Sequence, residues 1–139
     1  MGRLENLEEY ENEIENVEED VEEVEKEMED IDKKINEIER AIEDISEDQE
    51  VQEELNQKKS EYKERKTEKE EEKQKILSKI ENIEEELNED IEINDNSASV
   101  LSELSNIGED ISEAKRIVEN RSTTLNKIKN KIEDMKNKL

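Results

Sequence analysis

Apolar residues recur in the first third of the chain at Leu7, Tyr10, Ile14, Val17, Val21, Val24, Met28, Ile31, Ile35, Ile38, Ile42 and Ile45, in steps of three and four that alternate without a break. Placing Ile14 at a and Val17 at d of a heptad accounts for every one of them, which is the seam of a coiled coil and predicts a helix over 4–45. The phase then lapses, because between Ser46 and Lys75 the only apolar residues are Val51, Leu55 and Tyr62. Ser46-Glu47-Asp48-Gln49 reads as a fresh helix start, with Ser46 as cap, Gln49 reaching back and acids at the positive end of the dipole. A turn is therefore expected near 46–50.

The seam resumes at Ile76, Ile80, Ile83 and Leu87. Traced backward, Leu55, Tyr62, Lys69, Ile76 and Ile83 share d, while Lys59, Lys66, Lys73, Ile80 and Leu87 share a. The register differs from that of the first helix, as a turn requires; a stutter inside one continuous helix would also shift it. The polar stretch 88–99 contains Asp95, Asn96, Ser97 and Ser99, all turn and cap formers, and predicts a linker near 92–98. A third seam follows at Val100, Leu104, Ile107, Ile111, Ala114, Val118, Arg121, Leu125, Ile128, Ile132, Met135 and Leu139, with Arg121 as its one charged member. Gly108 falls off that seam, inside the expected helix, at a cost of about 1 kcal/mol relative to Ala.

The expected architecture is all-α: a single elongated antiparallel coiled-coil domain over 1–139, folded as an up-down-up three-helix bundle with helices at about 4–45, 47–91 and 99–139. Each stretch would be about 63 Å long at the α-helical rise. The rival is one long helix over 4–91, about 130 Å, with 99–139 folded back on it. Composition supports a narrow seam over a wide core. Only 28% of residues are hydrophobic, 49% are charged, and Phe, Trp and Pro are absent; a seam needs just two apolar positions in seven.

Charge decides how the helices should pair. The net charge is −24, yet residues 4–45 hold 20 acids against 4 bases, while residues 56–80 hold 6 acids against 9 bases. The e and g sites of helix one are Glu13, Glu18, Asp20, Glu25, Glu27, Asp32, Lys34, Glu39 and Ala41, so a parallel self-pair would set acid on acid. Helix two offers Lys58, Lys63, Arg65 and Lys79 at its flanks, and helix three offers Lys115, Lys129, Lys131, Lys136 and Lys138. A turn at 46–50 lays the basic stretch of helix two against the acids of helix one. The polar seam positions Lys59, Lys66, Lys73 and Arg121 can bury their stems and keep their charges wet. Ile and Val at d as well as a suit three or more strands.

Chemistry has little to stand on. The chain has no Cys and no His, which removes thiol chemistry, disulfides, N/S zinc sites and the usual general base. Acid pairs such as Glu8-Glu9 lie on solvated helix faces, without the desolvation that tunes a catalytic carboxylate. No D-x-D-x-D-G loop is present to curl around calcium. No cofactor and no enzymatic activity are expected. No apolar run is long enough for a membrane span and no signal-peptide core follows Met1, so a soluble, cytoplasmic protein is expected, with signal-less export left open.

The leading reading is a structural or interaction protein, a scaffold, spacer or adaptor that acts through protein contacts, with homo-oligomers left open. A second is an acidic mimic or inhibitor that occupies a basic protein surface through Glu11, Glu15, Glu18, Glu19, Glu22, Glu25, Glu29 and Asp32 on helix one. Direct nucleic-acid binding is disfavoured by the sign of the charge. The heptad texture resembles the coiled-coil arms of chromosome-maintenance ATPases and spectrin-like bundles, which implies a structural role; no ATPase motif accompanies it. Size, acidity and the Ile107-Gly108-Glu109 stretch also resemble small helical type VII secretion substrates and toxin partners, although the Trp of their W-x-G turn is missing.

Overall fold

The computed structural model describes residues 2–139, which form three helices: α1 (Glu8–Asp44), α2 (Gln49–Asn106) and α3 (Ser112–Lys138). The all-α three-helix expectation holds, and α1 ends before residue 46, so the single 4–91 helix does not form. Two boundaries differ from those read in the sequence. Residues 3–7 make a turn before α1, and α2 runs on through 92–98 to Asn106.

The first turn lies where the cap residues placed it, but the cap is Asp48, not Ser46. Asp48 Oδ1 accepts from the Val51 N–H at 3.3 Å, which satisfies one of the free donors at the start of α2. Gln52 reaches across the turn instead of Gln49 reaching back: its side-chain amide donates to the Ile42 carbonyl at 3.3 Å, near the end of α1.

The expected linker is helical because the seam never stops. From Ile76 the 4-3 alternation continues through Ile80, Ile83, Leu87, Asp90, Asn94, Ser97, Leu101 and Leu104. Polar residues occupy three successive seam positions, and Asp90 and Asn94 are 0% and 2% exposed. Cap propensity in 95–99 yields to a tertiary seam, with Ser97 Oγ donating back to the Ile93 carbonyl within the helix. Conversely, Val100 and Ile107, read as the start of the third seam, are exposed; that seam is occupied from Ile111 onward.

The real break is at Gly108. The Gly108 N–H donates to the Ser105 carbonyl and the Glu109 N–H to the Leu104 carbonyl, the paired bonds of a Schellman motif. Gly108 has φ of +88°, the conformation this motif needs just past the helix end. Asp110 Oδ1 then accepts from the Ser112 hydroxyl at 2.9 Å, at the start of α3.

The chain divides into two compact units, one of Met1–Glu18 with Leu77–Leu139 and one of Glu19–Ile76. The second is a two-helix antiparallel hairpin. Val21, Val24, Ile31 and Ile35 of α1 are buried, and the facing seam of α2 is half-buried Leu55, Lys59, Tyr62, Lys66, Lys69 and Lys73, ending on buried Ile76. Only the first unit is three-stranded. There Tyr10, Ile14 and Val17 of α1 share a core with Ile80, Ile83 and Leu87 of α2 and with Val118, Leu125, Ile128, Ile132 and Met135 of α3. Each fully buried aliphatic in it contributes about 1.5–3 kcal/mol. Among the described residues, no helix is long and apolar enough to cross a membrane.

The Gly108 turn yields a prediction whose sign separates the two descriptions of this segment. Inside a helix, Gly108→Ala would stabilise; at φ +88° it should instead destabilise by about 1 kcal/mol. Urea unfolding followed by circular dichroism reads the difference.

Candidate interaction site

The predicted pairing of α1 acids with α2 bases forms in the Glu19–Ile76 hairpin, but through different bases. Lys59 Nζ lies 3.1 Å from Glu39, Lys66 Nζ lies 2.8 Å from Asp32, and Lys69 pairs with Glu27. The acids are the expected e and g residues of α1; the bases come from the α2 seam and not from its flanks. Lys58, a flank residue, pairs within its own helix with Glu61 at 3.5 Å. The hydrogen bond from Lys69 holds Glu27 below the usual carboxylate range, and its counterpart raises Lys69. The bond to Asp32 likewise raises Lys66. Lys59, Lys66 and Lys69 thus each lie opposite one acid of α1, and Lys73 continues their half-buried row.

The proposed acidic face is divided by this arrangement. In the hairpin, Glu19, Glu22 and Glu29 point to solvent, Glu25 is half-buried, and Asp32 is engaged with Lys66. In the other unit Glu11 and Glu15 are exposed and Glu18 is half-buried. Five of these acids are therefore exposed, while Asp32 is paired within the chain.

The first unit holds a buried polar node that the sequence reading did not assemble. Tyr10 Oη donates to Asp90 Oδ2, and the Arg3 N–H donates to the same oxygen at 2.8 Å. The Arg3 guanidinium stacks over the Tyr10 ring at 4.7 Å and binds Glu86 at 3.1 Å and Glu13. Burial works against the Arg3 charge, but its bonds to Glu13 and Glu86 prevail and raise its pKa. Burial, and then the bond to Asp90, push the Tyr10 phenol far up. Asp90 Oδ1 faces Gly2, where a Cβ would collide with the carboxylate, so residues 2–7 lie as a strap over this seam position. Farther along, the Asn94 amide donates to the Val118 carbonyl at 3.2 Å and ties α2 to α3. The helix-three lysines also serve α2: Lys136 lies 3.1 Å from Glu84 and Lys115 is 2.8 Å from the Ser105 hydroxyl.

Beyond that strap, α2 and α3 continue as a pair and leave an open apolar groove of about 610 Å³. Its floor is Ser97, Leu101, Ala114 and Val118, its walls are Ile93, Val100 and Ile117, and Arg121 closes one end. Three of these are exposed to a degree unusual for large aliphatics: Ile93 at 49%, Val100 at 54% and Ile117 at 44%. Heptad position explains why. On α2, Glu86, Ile93 and Val100 are seven residues apart on one flank, and Arg3 of the α1 side binds Glu86. The flank turns apolar at Ile93, which borders the strap and Glu9 at the start of α1, and stays apolar at Val100. Arg121, read as a polar seam position, is half-buried between this groove and a second cleft under Leu4, Leu7 and Thr124.

The raised pKa values have a defined consequence at high pH. A phenol or ammonium raised by folding stabilises the fold fully below its unfolded value, here 10.0 for Tyr and 10.5 for Lys, and loses that contribution as pH rises through the folded value. In Tyr62→Phe, Tyr10 is the one remaining phenol. Its ionisation, read in the ultraviolet, should coincide with loss of helicity above pH 10; a phenol that titrates while the helices persist would place Tyr10 in solvent. Compared with known proteins, the chain matches no family model, no curated protein and no solved structure, so a functional reading rests on its own residues.

Proposed function

We propose that this is a non-enzymatic interaction protein, a coiled-coil scaffold or adaptor that acts by presenting a helical surface to another polypeptide. The observation that carries the reading is the groove between α2 and α3. A chain with 28% hydrophobic residues commits Ile93, Val100 and Ile117 to the open walls of this groove. Isolated exposed aliphatics need no explanation, but a contiguous set lining one groove marks a contact site. A helical surface laid against this groove would cover it as α1 covers the neighbouring stretch of the same unit.

A photoreactive amino acid at position 100 or 117 tests the proposal, with one at the exposed position Glu64 as the control. Irradiation of the full chain in cells should join the groove positions to a polypeptide and leave the control free. Equal labelling at all three, or none at any, would remove the groove as a contact site.

The outward acids favour a second reading, in which a basic protein surface is the target. Glu19, Glu22 and Glu29 remain exposed after α2 has taken Glu27, Asp32 and Glu39. Binding of that kind should weaken more than tenfold between about 0.1 M and 0.5 M salt, because screening shortens from roughly 10 Å to a few ångströms. Titration calorimetry with a polylysine peptide, repeated with Glu19→Gln/Glu22→Gln, reads both the salt slope and the face; affinity indifferent to salt and to the substitutions would end this reading.

A further inference from the structure

We infer that the occupant of the α2–α3 groove is a second copy of this chain, the 93–124 hairpins of two copies packing into an antiparallel four-helix bundle. The inference rests on the reading of that groove as a contact site and names what fills it.

The width of the apolar stripe is the first argument. A helix in a two- or three-stranded coil needs apolar residues only at a and d, and this is how α2 is built where α1 covers it: Ile80, Ile83 and Leu87 in the seam, with Lys79 and Glu86 on the flank. Past residue 90 the flank becomes Ile93, Val100 and Ile107. On α3 the same change sets Ile117 against Thr124 and Lys131 farther along the same flank. A stripe three positions wide on α2, met by Ile117 on the facing flank of α3, gives this hairpin the broad apolar face that a four-helix bundle uses. One added helix would fill the groove and leave part of these walls uncovered; a second hairpin of the same shape covers both walls at once.

Charge is the second argument. The segment 93–124 has nine charged residues among 32, against 49% for the whole chain. Its bases are partly committed: Lys115 to Ser105 and Arg116 to Glu113. The rim residues that line the groove beside the aliphatics are Asn96, Ser97 and Arg121, so no block of one sign stands ready to select a charged partner or to repel an identical surface. Elsewhere the chain repels its own kind strongly, since residues 4–45 alone carry 20 acids. A face that tolerates an identical face is what a closed two-fold contact requires.

The contact is small, so the dimer should be weak, with a dissociation constant on the order of 10 µM. It should also tighten as salt rises, because each chain brings a net −24 that salt screens. That sign is opposite to the one expected for capture of a basic partner.

Sedimentation equilibrium of the full chain from about 5 to 500 µM, at about 0.1 and 0.5 M salt, tests the inference. The expected result is a mass that rises from 16.5 kDa toward twice that value, with the rise starting at lower concentration in high salt. Val100→Glu and Ile117→Glu alter half-exposed positions and should weaken the dimer more than tenfold while circular dichroism keeps its helical signal. Val100→Ser with Ile117→Ser should act in the same direction without adding charge, which keeps the test decisive if either Glu variant loses helix. Glu64→Gln, at an exposed position outside the segment, should leave the dimer intact. A chain that stays at 16.5 kDa throughout, or a dimer indifferent to both sets of groove variants, overturns the inference. If the chain stays monomeric while position 100 still cross-links to a different polypeptide, the second copy is wrong and the contact site stands. If position 100 joins nothing, both fall.

Discussion

The structure depends on a seam two residues wide. With 28% hydrophobic residues and no Phe or Trp, the chain has too little apolar volume for a globular interior, and each helix can bury only a stripe. Cohesion then comes from keeping the stripe in register over many turns. The stripe of α1 does so from Leu7 to Ile45 without a lapse, and every one of its members is buried or half-buried. Seam burial is nearly indifferent to sliding, since shifting a heptad repeat by seven restores the same pattern. Something other than apolar contact must choose the register.

Polar groups at seam positions make that choice. In the Glu19–Ile76 hairpin, Lys59, Lys66 and Lys69 sit where leucines would be stronger, and each meets a particular acid. Exposed pairs of this kind contribute only about 0–1 kcal/mol each, so their effect is on which alignment wins, more than on how stable it is. In the other unit Asp90 and Asn94 take the role at greater depth. Asp90 is wholly buried and holds Tyr10 and the Arg3 backbone on one oxygen, while its second oxygen has no hydrogen-bond partner. Sliding α1 by a heptad would strand that carboxylate without its donors, a penalty of about 1–3 kcal/mol or more. Buried polar seam positions fix register in this way in other coiled coils.

This dual use of polar residues explains what could and could not be read from the sequence. Three helices, their antiparallel sense and the turn near residue 46 were legible because apolar periodicity and charge asymmetry pointed the same way. Residues 88–99 were misread because Asp95, Asn96, Ser97 and Ser99 favour turns locally, and because Asp90 and Asn94 look like linker residues until the 4-3 count is carried through them. The same miscount started the third seam at Val100 and made Gly108 a flaw in a helix, when it is the turn itself. The outward acids of α1 are legible from the heptad pattern. The groove is not, because Val100 fits the 4-3 spacing of a third seam. Arg3, at the third position of the chain, carried no pattern that could reveal its bonds to Glu86 and Glu13.

The same logic makes the apolar groove more than leftover surface. A flank position in this chain is charged almost everywhere: Glu13, Glu18, Glu25 and Asp32 on α1, Lys79 and Glu86 on α2. Charge there costs nothing, since the site is wet, and it protects against mispairing. Ile93, Val100 and Ile117 break that rule together, on both helices that border the same groove. Their grouping along one groove leaves that flank apolar where most flank positions of the chain are charged. Under the proposed reading, another helical surface would cover this groove as α1 covers the neighbouring stretch of the same unit.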